Sequence, residues 1–385
     1  MPYKKLDLRM KENNIVYLDN AATTSPNPDV VALYNEIALN RFGNPNSIHG
    51  LGVDSNKYLS LAREKILRAF NLKDYQVIFT GSATEANNLA IKGIALKYKS
   101  RGKHIITSKI EHPSVLETFK QLETDFGYKV TYLNVDSQGV VDLSQLEAAM
   151  DDETTIVSIM AVNNEIGTIE PIEDIARIVK KRPKAILHVD MTQAIGKIKI
   201  NLNNVDLFSY TSHKIHGLKG TGVLVYRSKL SFMPLISGGD QEYGYRGGTS
   251  DVAGACVLAK ATELANENID SKHIVELKKH LINSLEGEDI VFNSNEKSIP
   301  HIVNFSLNNK KASVVVEALS LQKIYVSSVS ACHSKREPLS YVVLETSHDL
   351  NRAKNTIRVS FDESNTLEDV DKFVKEFKKI VRSIQ

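Results

Sequence analysis

Ala185-Ile-Leu-His-Val-Asp190 and Leu207-Phe-Ser-Tyr-Thr-Ser-His213-Lys214 decide the fold. Each opens as a short apolar run of the kind that predicts a buried strand. Each also ends on chemistry, the first on a carboxylate and the second, 24 residues further on, on an amine. In an open parallel sheet ligands gather beyond the carboxyl ends of the strands, so Asp190 and Lys214 are expected at one edge. An amine there can form a Schiff base, and a carboxylate is the partner that a protonated pyridine nitrogen requires. Together they point to pyridoxal phosphate.

Outward from this pair, short apolar runs alternate with segments of helical spacing, the signature of parallel strands joined by crossover helices in an α/β protein. Strands are expected at 76–80, 104–108, 129–133, 155–162, 185–190, 207–211 and 222–226, making one wide sheet of seven. Helices over 85–98, 113–124, 143–150 and 172–181 carry apolar residues at helical spacing and should cover it. An apolar helix at 252–266 could hinge the molecule, because beyond it the pattern shifts to amphipathic helices, at 273–285 and 367–384, with fewer strands. The expected division is therefore a large domain over 14–265 and a smaller α/β domain over 266–385, with 1–13 carrying no usable pattern. Residues 293–298 read as a polar loop, and no internal repeat is apparent.

Composition narrows the class. The chain has 385 residues, 42% hydrophobic and 24% charged, enough to bury a large core. Lys+Arg 48 against Asp+Glu 46 leaves a net charge of +2, which supplies no general attraction to nucleic acid or membrane. No apolar stretch approaches the roughly 20 residues that span a bilayer, and the opening residues lack a secretory apolar segment, so a cytoplasmic location is expected. The two cysteines, Cys256 and Cys332, are far apart and form neither a disulfide framework nor a Cys-x-x-Cys metal site. No metal is expected.

Other strand ends carry groups with two readings each. Gly81-Ser-Ala-Thr84, between a strand and a helix, either aims free backbone N–H groups and the Thr84 hydroxyl at an anion or forms an ordinary N-cap with Glu85 in the first turn. His112, in Glu111-His-Pro113, either caps a helix or stacks on a planar ring. Asn163-Asn-Glu165 either forms a turn or offers amides to a phenolic oxygen.

The sequence resembles the cysteine desulfurases of the nitrogen-fixation and iron–sulfur housekeeping type, within the class V aminotransferase-like pyridoxal enzymes. The likeness runs from about residue 16 to the end. It is carried by Tyr17-Leu-Asp-Asn-Ala-Ala-Thr-Thr24, Gly43-Asn-Pro-Asn-Ser-Ile-His49, Ala83-Thr-Glu85, Glu111-His-Pro113 and Asn163-Asn-Glu-Ile-Gly167, followed by His188-Val-Asp190 with Gln193, Ser212-His-Lys214, Arg246-Gly-Gly-Thr249, Ser327-Ser-Val-Ser-Ala-Cys332 and Ile357-Arg-Val-Ser360. The resemblance implies the aspartate aminotransferase-like fold and a homodimer that binds pyridoxal 5'-phosphate between protomers. It implies that Lys214 holds the cofactor and moves the Cα proton, that Asp190 pairs with the ring nitrogen, and that His112 stacks on the ring and assists proton transfer. Asn164 and Gln193 would bond the ring oxygen. Ala83, Thr84, Thr211 and His213 would hold the phosphate, with Thr249 reaching it from the neighbouring subunit, and Arg358 would clamp the substrate carboxylate.

In the same family pattern Cys332 takes sulfur from L-cysteine as a persulfide, leaving L-alanine, and passes it to an acceptor in iron–sulfur cluster assembly or tRNA thiolation. It sits in a polar stretch with Lys335, Arg336 and Glu337, where a packed hydrophobic role does not fit, whereas Cys256 in Ala253-Gly-Ala-Cys-Val-Leu-Ala reads as a small core residue. Several positions depart from the pattern. Gly81-Ser82 reverses the usual Ser-Gly, Val329 stands where Gly is usual, and His333 either lowers the thiol pKa or is simply exposed. Phe361-Asp362 replaces Leu-Gly, and the chain stops at Gln385 without the longer tail that some members use to dock a scaffold. The other readings are a selenocysteine lyase or other class V enzyme, in which Cys332 would be dispensable, and an inactive carrier of the same fold.

Overall fold

The computed structural model describes residues 15–267, 269, 272–328 and 339–384. A seven-stranded sheet runs in the order Tyr75–Thr80, Gly222–Arg227, Leu207–Thr211, Ile186–Asp190, Thr154–Met160, His104–Ser108, Lys129–Leu133. Gly222–Arg227 is antiparallel to both its neighbours, and every other pairing is parallel. The expected strands are all present, three with the expected bounds; the strand expected over 155–162 ends at Met160 because Val162 leaves the ladder to bridge Ile169.

Period-2 alternation sends successive residues of each strand to opposite cores. Ile105, Ile156, Ile186, Leu207 and Leu224 pack under helices Ala83–Lys97 and Pro113–Phe126. Their neighbours Ile106, Val157, Leu187, Phe208 and Val225 face the other side, with residues of Gly50–Ala69, Ile172–Val179 and Val252–Glu267. Helix Pro113–Phe126 shows why these segments are helical. Pro113 stands at its first position, where a missing N–H is harmless. Val115, Phe119 and Leu122 are fully buried along one stripe, each contributing about 1.5–3 kcal/mol. Gly127, at φ 66°, ends the helix in the left-handed region that a side chain disfavours.

A second, four-stranded antiparallel sheet, ordered Ser327–Ser328, Thr356–Ser360, Ile302–Leu307, Ile290–Phe292, packs with helices Lys272–Ser284, Ala312–Leu321 and Leu367–Ser383 around a separate core. Val16 and Leu18 belong to that core although they begin the described chain, because Val16–Tyr17 pairs in parallel with Ile324–Tyr325. The loop expected at 293–298 is present, but Asn293 is buried and its amide donates to Asn304 Oδ1 (2.7 Å) and Ser306 Oγ (2.8 Å). Among the described residues no helix is long and apolar enough to cross a membrane.

Candidate active site

Beyond the carboxyl edge of the large sheet lies a cavity of about 450 Å³. Of the residues singled out from sequence, all but Thr249 and Cys332 line it. Thr249 lines a neighbouring cavity of about 200 Å³ with Gly81 and Arg246. Cys332, with Val329 and His333, lies outside the described residues, but those on either side, Ser328 and Leu339, both line the main cavity.

Lys214 follows the strand Leu207–Thr211 in a single 3-10 turn. Its Nζ donates to the carbonyls of Ala21 (2.5 Å) and Ala22 (2.7 Å). Those carbonyls are fixed in turn, since Ala21 N donates to Ser360 Oγ (2.9 Å) and Thr24 N to His213 O (2.9 Å).

Asp190 ends its strand with both oxygens occupied. Oδ1 accepts from Thr192 N (2.9 Å) and Oδ2 from Asn87 Nδ2 (2.8 Å). Asn87 is fully buried, and its own Oδ1 accepts from the Ser209 hydroxyl. With that proton committed, Ser209 Oγ accepts from His188 Nε2 (3.1 Å), and His188 Nδ1 accepts from Ser158 Oγ (2.8 Å). Burial pushes His188 down to about 4, so the ring is a neutral link at physiological pH. The chain from Ser158 to Asn87 thus orients the Asn87 amide as a donor to Asp190.

His112 answers both of its sequence readings. It caps the helix, its Nδ1 accepting from Ser114 N (3.1 Å) and facing Ser114 Oγ (2.8 Å), and it lines the cavity. With Nδ1 an acceptor, Nε2 carries the proton of the neutral ring. Burial lowers its pKa, against an upward pull from Asp190.

The turn at 81–84 is also both things at once. Ser82 caps the 15-residue helix by accepting from Glu85 N (3.1 Å), while the first-turn N–H groups at Ala83 and Thr84 have no acceptor within the helix. Ser82 supplies the cap, and Gly81 is not among the residues with positive φ, so the reversed Gly-Ser order costs no backbone freedom. Gly81 N and Arg246 Nε both donate to Glu85 (2.8 and 2.9 Å). Thr211 donates its hydroxyl to Thr221 O (2.7 Å), and His213 Nδ1 faces Thr23 Oγ1 (3.2 Å). Gln193 spans Ala21 O (2.9 Å) and Lys197 Nζ (3.0 Å), which leaves one amide hydrogen free.

Arg358, on Thr356–Ser360, is 8% exposed. Its Nη2 donates to Asp19 Oδ1 (3.0 Å) and Nη1 to Asn164 O (2.7 Å). Phe361 after it is buried in the second core, and Asp362 and Asn365 shape the turn that a glycine would otherwise make: Asp362 N donates to Asn365 Oδ1 (2.9 Å) and Ser364 N to Asp362 Oδ1 (2.8 Å).

Sequence reasoning missed Asn87, Asp19, Glu165 and Tyr341. Asn87 had a signal: an amide on the otherwise apolar stripe Ala86, Leu89, Ala90 and Gly93. The others are joined to the site by contacts across more than 100 residues, which no local pattern encodes.

Among the described residues, three polar atoms on residues lining this cavity are buried with no hydrogen-bond partner: Asn164 Oδ1, Thr192 Oγ1 and Arg358 Nε. Unmade hydrogen bonds of this kind cost stability unless a ligand meets them. An anionic group at the 83–84 helix start, a flat ring between His112 and Asp190 and a carboxylate near Arg358 would each find its complement in this wall.

The aminotransferase class-V family model matches residues 16–373, a span that includes Lys214, Asp190 and Arg358. A NifS/IcsS protein homologue of Lactobacillus delbrueckii subsp. bulgaricus is 40% identical over 377 residues, covering 95% of this chain and 97% of the relative. The cysteine desulfurase IscS of Clostridium botulinum (strain Kyoto / Type A2) is 38% identical over 379 residues, covering 96% and 95%. A solved NifS-like protein superposes with a TM-score of 0.90 at 38% identity, covering 96% of this chain and all of that one. The chain belongs to the class V aminotransferase family and, within it, to the NifS/IscS cysteine desulfurases.

Proposed function

We propose that the protein is a pyridoxal phosphate-dependent L-cysteine desulfurase that moves sulfur from L-cysteine to Cys332. The observation that carries this reading is the convergence on one cavity of Lys214, Asp190 and Arg358 with Ser328 and Leu339, the described residues flanking the cysteine segment. When bound, pyridoxal phosphate would supply an electron sink for the pair released at Cα of the substrate. Asn87 and Thr192 hold the Asp190 carboxylate as an acceptor for the ring nitrogen. The Ala83–Thr84 helix start, Thr211 and His213 hold the phosphate, and Asn164 and Gln193 the ring oxygen. Lys214 holds and moves the proton at Cα, and His112 covers the ring face. Arg358, immobilised between Asp19 and Asn164, orients the substrate carboxylate through its unpartnered Nε. Cys332 takes the sulfur: the Sγ–Cβ bond of cysteine breaks as the new S–S bond forms, so that L-cysteine and the Cys332 thiol become L-alanine and the Cys332 persulfide.

A homodimer fits the surface. Leu39, at the end of helix Pro28–Asn40, and Phe42 and Ile48, in the link to helix Gly50–Ala69, are 75%, 72% and 99% exposed, apolar side chains that a second copy could cover. Thr249 lies outside its own chain's main cavity, as a residue serving a partner's phosphate would. The cores flanking the large sheet and the separate core of the small one support a division into domains at 14–265 and 266–385, with residues 16–18 joining the second and Ile299 and Ile302 packing against the first. A thiol that must stay reduced suits the cytoplasm, and the persulfide is a donor for iron–sulfur assembly or tRNA thiolation.

A single-turnover assay of the cofactor-loaded protein with L-cysteine tests the reading. Wild type is expected to yield equal alanine and Cys332 persulfide, and Cys332→Ser neither. Alanine from both proteins makes it a lyase, selenocysteine lyase included; alanine from neither makes it a carrier.

A further inference from the structure

Behind the segment that holds the Lys214 amine lies a second cavity, of about 280 Å³, where elements of the large and small sheets meet. Ala21 and Lys214 line both this cavity and the main one, so they form part of the partition between them. Lys197 lines the second cavity. It follows a turn that Gly196 makes at φ 73°, where an added Cβ would stand 2.8 Å from Ala265 Cβ. The Lys197 side chain is half-buried, and its Nζ donates to Gln193 Oε1 (3.0 Å). Burial first, then the like charges of Lys214 and Arg358, push its amine down to about 7. An amine kept in such surroundings costs stability, which invites the question of what it does there.

Gln193 is the link to the main cavity, which it lines while being 3% exposed. Its Nε2 donates to Ala21 O (2.9 Å), the carbonyl that also accepts from Lys214 Nζ (2.5 Å). A primary amide has one oxygen and two N–H groups. Lys197 claims the oxygen and Ala21 one hydrogen, so the second hydrogen is left for an acceptor in the main cavity. We infer that Lys197 is a positioning residue for the cofactor: by holding Gln193 Oε1 on the far side, it turns the remaining amide hydrogen toward the ring oxygen. The inference rests on the pyridoxal phosphate reading. The other titratable groups around the second cavity are His301, His216, Asp362 and Glu363. An amine donates with or without its extra proton, so the bond to Gln193 outlasts the titration of Lys197 itself.

Two readouts besides turnover test it: the affinity of the cofactor-free protein for pyridoxal phosphate, followed by absorbance, and the pH midpoint of the visible band of the bound cofactor. Lys197→Met removes the donor and keeps a long side chain. Affinity is expected to fall by about fivefold to tenfold, the worth of one hydrogen bond. The midpoint should rise by about 0.5–1 pH unit, because a ring oxygen without its donor holds the proton shared with the Lys214 linkage more tightly. Gln193→Ala should move both at least as far, and Lys197→Met added to it should change little more. If Lys197→Met does not fold, Lys197→Leu carries the same comparison. An unchanged affinity, a midpoint that stays or falls, or the full loss repeated in the Gln193→Ala background would overturn the inference. Absence of a visible band from reconstituted wild type would instead remove the pyridoxal phosphate reading on which it stands.

Discussion

On the large-sheet side of the cavity, Asp190 is reached through Asn87, Ser209, His188 and Ser158, a line of buried polar groups crossing three strands and a helix of one core. On the opposite side Arg358 rises from the small sheet and is held by Asp19, whose segment bridges Ser360 of the same sheet, and from across the cavity by the carbonyl of Asn164. The first wall is aligned by packing within a single core. The second is aligned only when the two cores are seated against each other. On the proposed reading, the carboxylate offered to the ring nitrogen lies on the wall built within one core, and the arginine offered to the substrate carboxylate lies on the wall that two sheets align together.

Asp190→Asn attacks the first wall directly and should have the largest effect. The neutral amide cannot keep a ring nitrogen protonated, and turnover should fall by about 10² or more, with the fold intact by circular dichroism. Arg358→Lys attacks the other wall. An ammonium cannot serve Asp19, the Asn164 carbonyl and a carboxylate with a planar fork, so KM for L-cysteine should rise roughly tenfold, the loss of one charge-assisted bond of about 1.5 kcal/mol, with a smaller change in kcat.

Glu111→Gln is the finest probe, because Glu111 touches the first wall without entering the cavity. Its carboxyl accepts from Ser108 Oγ (2.7 Å) and Met160 N (3.1 Å), and burial pushes it up to about 8. Between its ordinary value and about 8 the folded chain holds a proton there that the unfolded chain has lost, so wild-type stability falls as pH rises through that window. Glutamine carries no such cost. Melting temperatures across pH 5 to 9 should show the variant gaining on wild type by a few degrees as pH rises and levelling off above about 8. A constant gap would mean that Glu111 is already ionised in the folded protein.

The first wall was also the more legible one. Its strands are mainly apolar runs separated by clear helical segments, and Lys214, Asp190, His112 and Asn164 sit at or just past strand ends, where position alone attracts suspicion. The small sheet hid better: Ile302–Leu307 places Asn304 and Ser306 in its buried run, and Ser327–Ser328 is two residues long. Helix Pro28–Asn40 escaped as well, since Leu39 and Val31 are exposed and blur its stripe. What joins the walls, Arg358 to the Asn164 carbonyl and Ser340 to Glu165, depends on pairs far apart in the chain and appears only once it is folded.

The two carbonyls that hold the Lys214 amine come from the segment whose strand pairs with Ile324–Tyr325 and whose Ala21 N–H is taken by Ser360. That segment is therefore clasped from both sides, by Gln193 and His213 of the large domain and by Ile324–Tyr325 and Ser360 of the small one, so the Lys214 amine meets its full set of restraints only once both domains are in place.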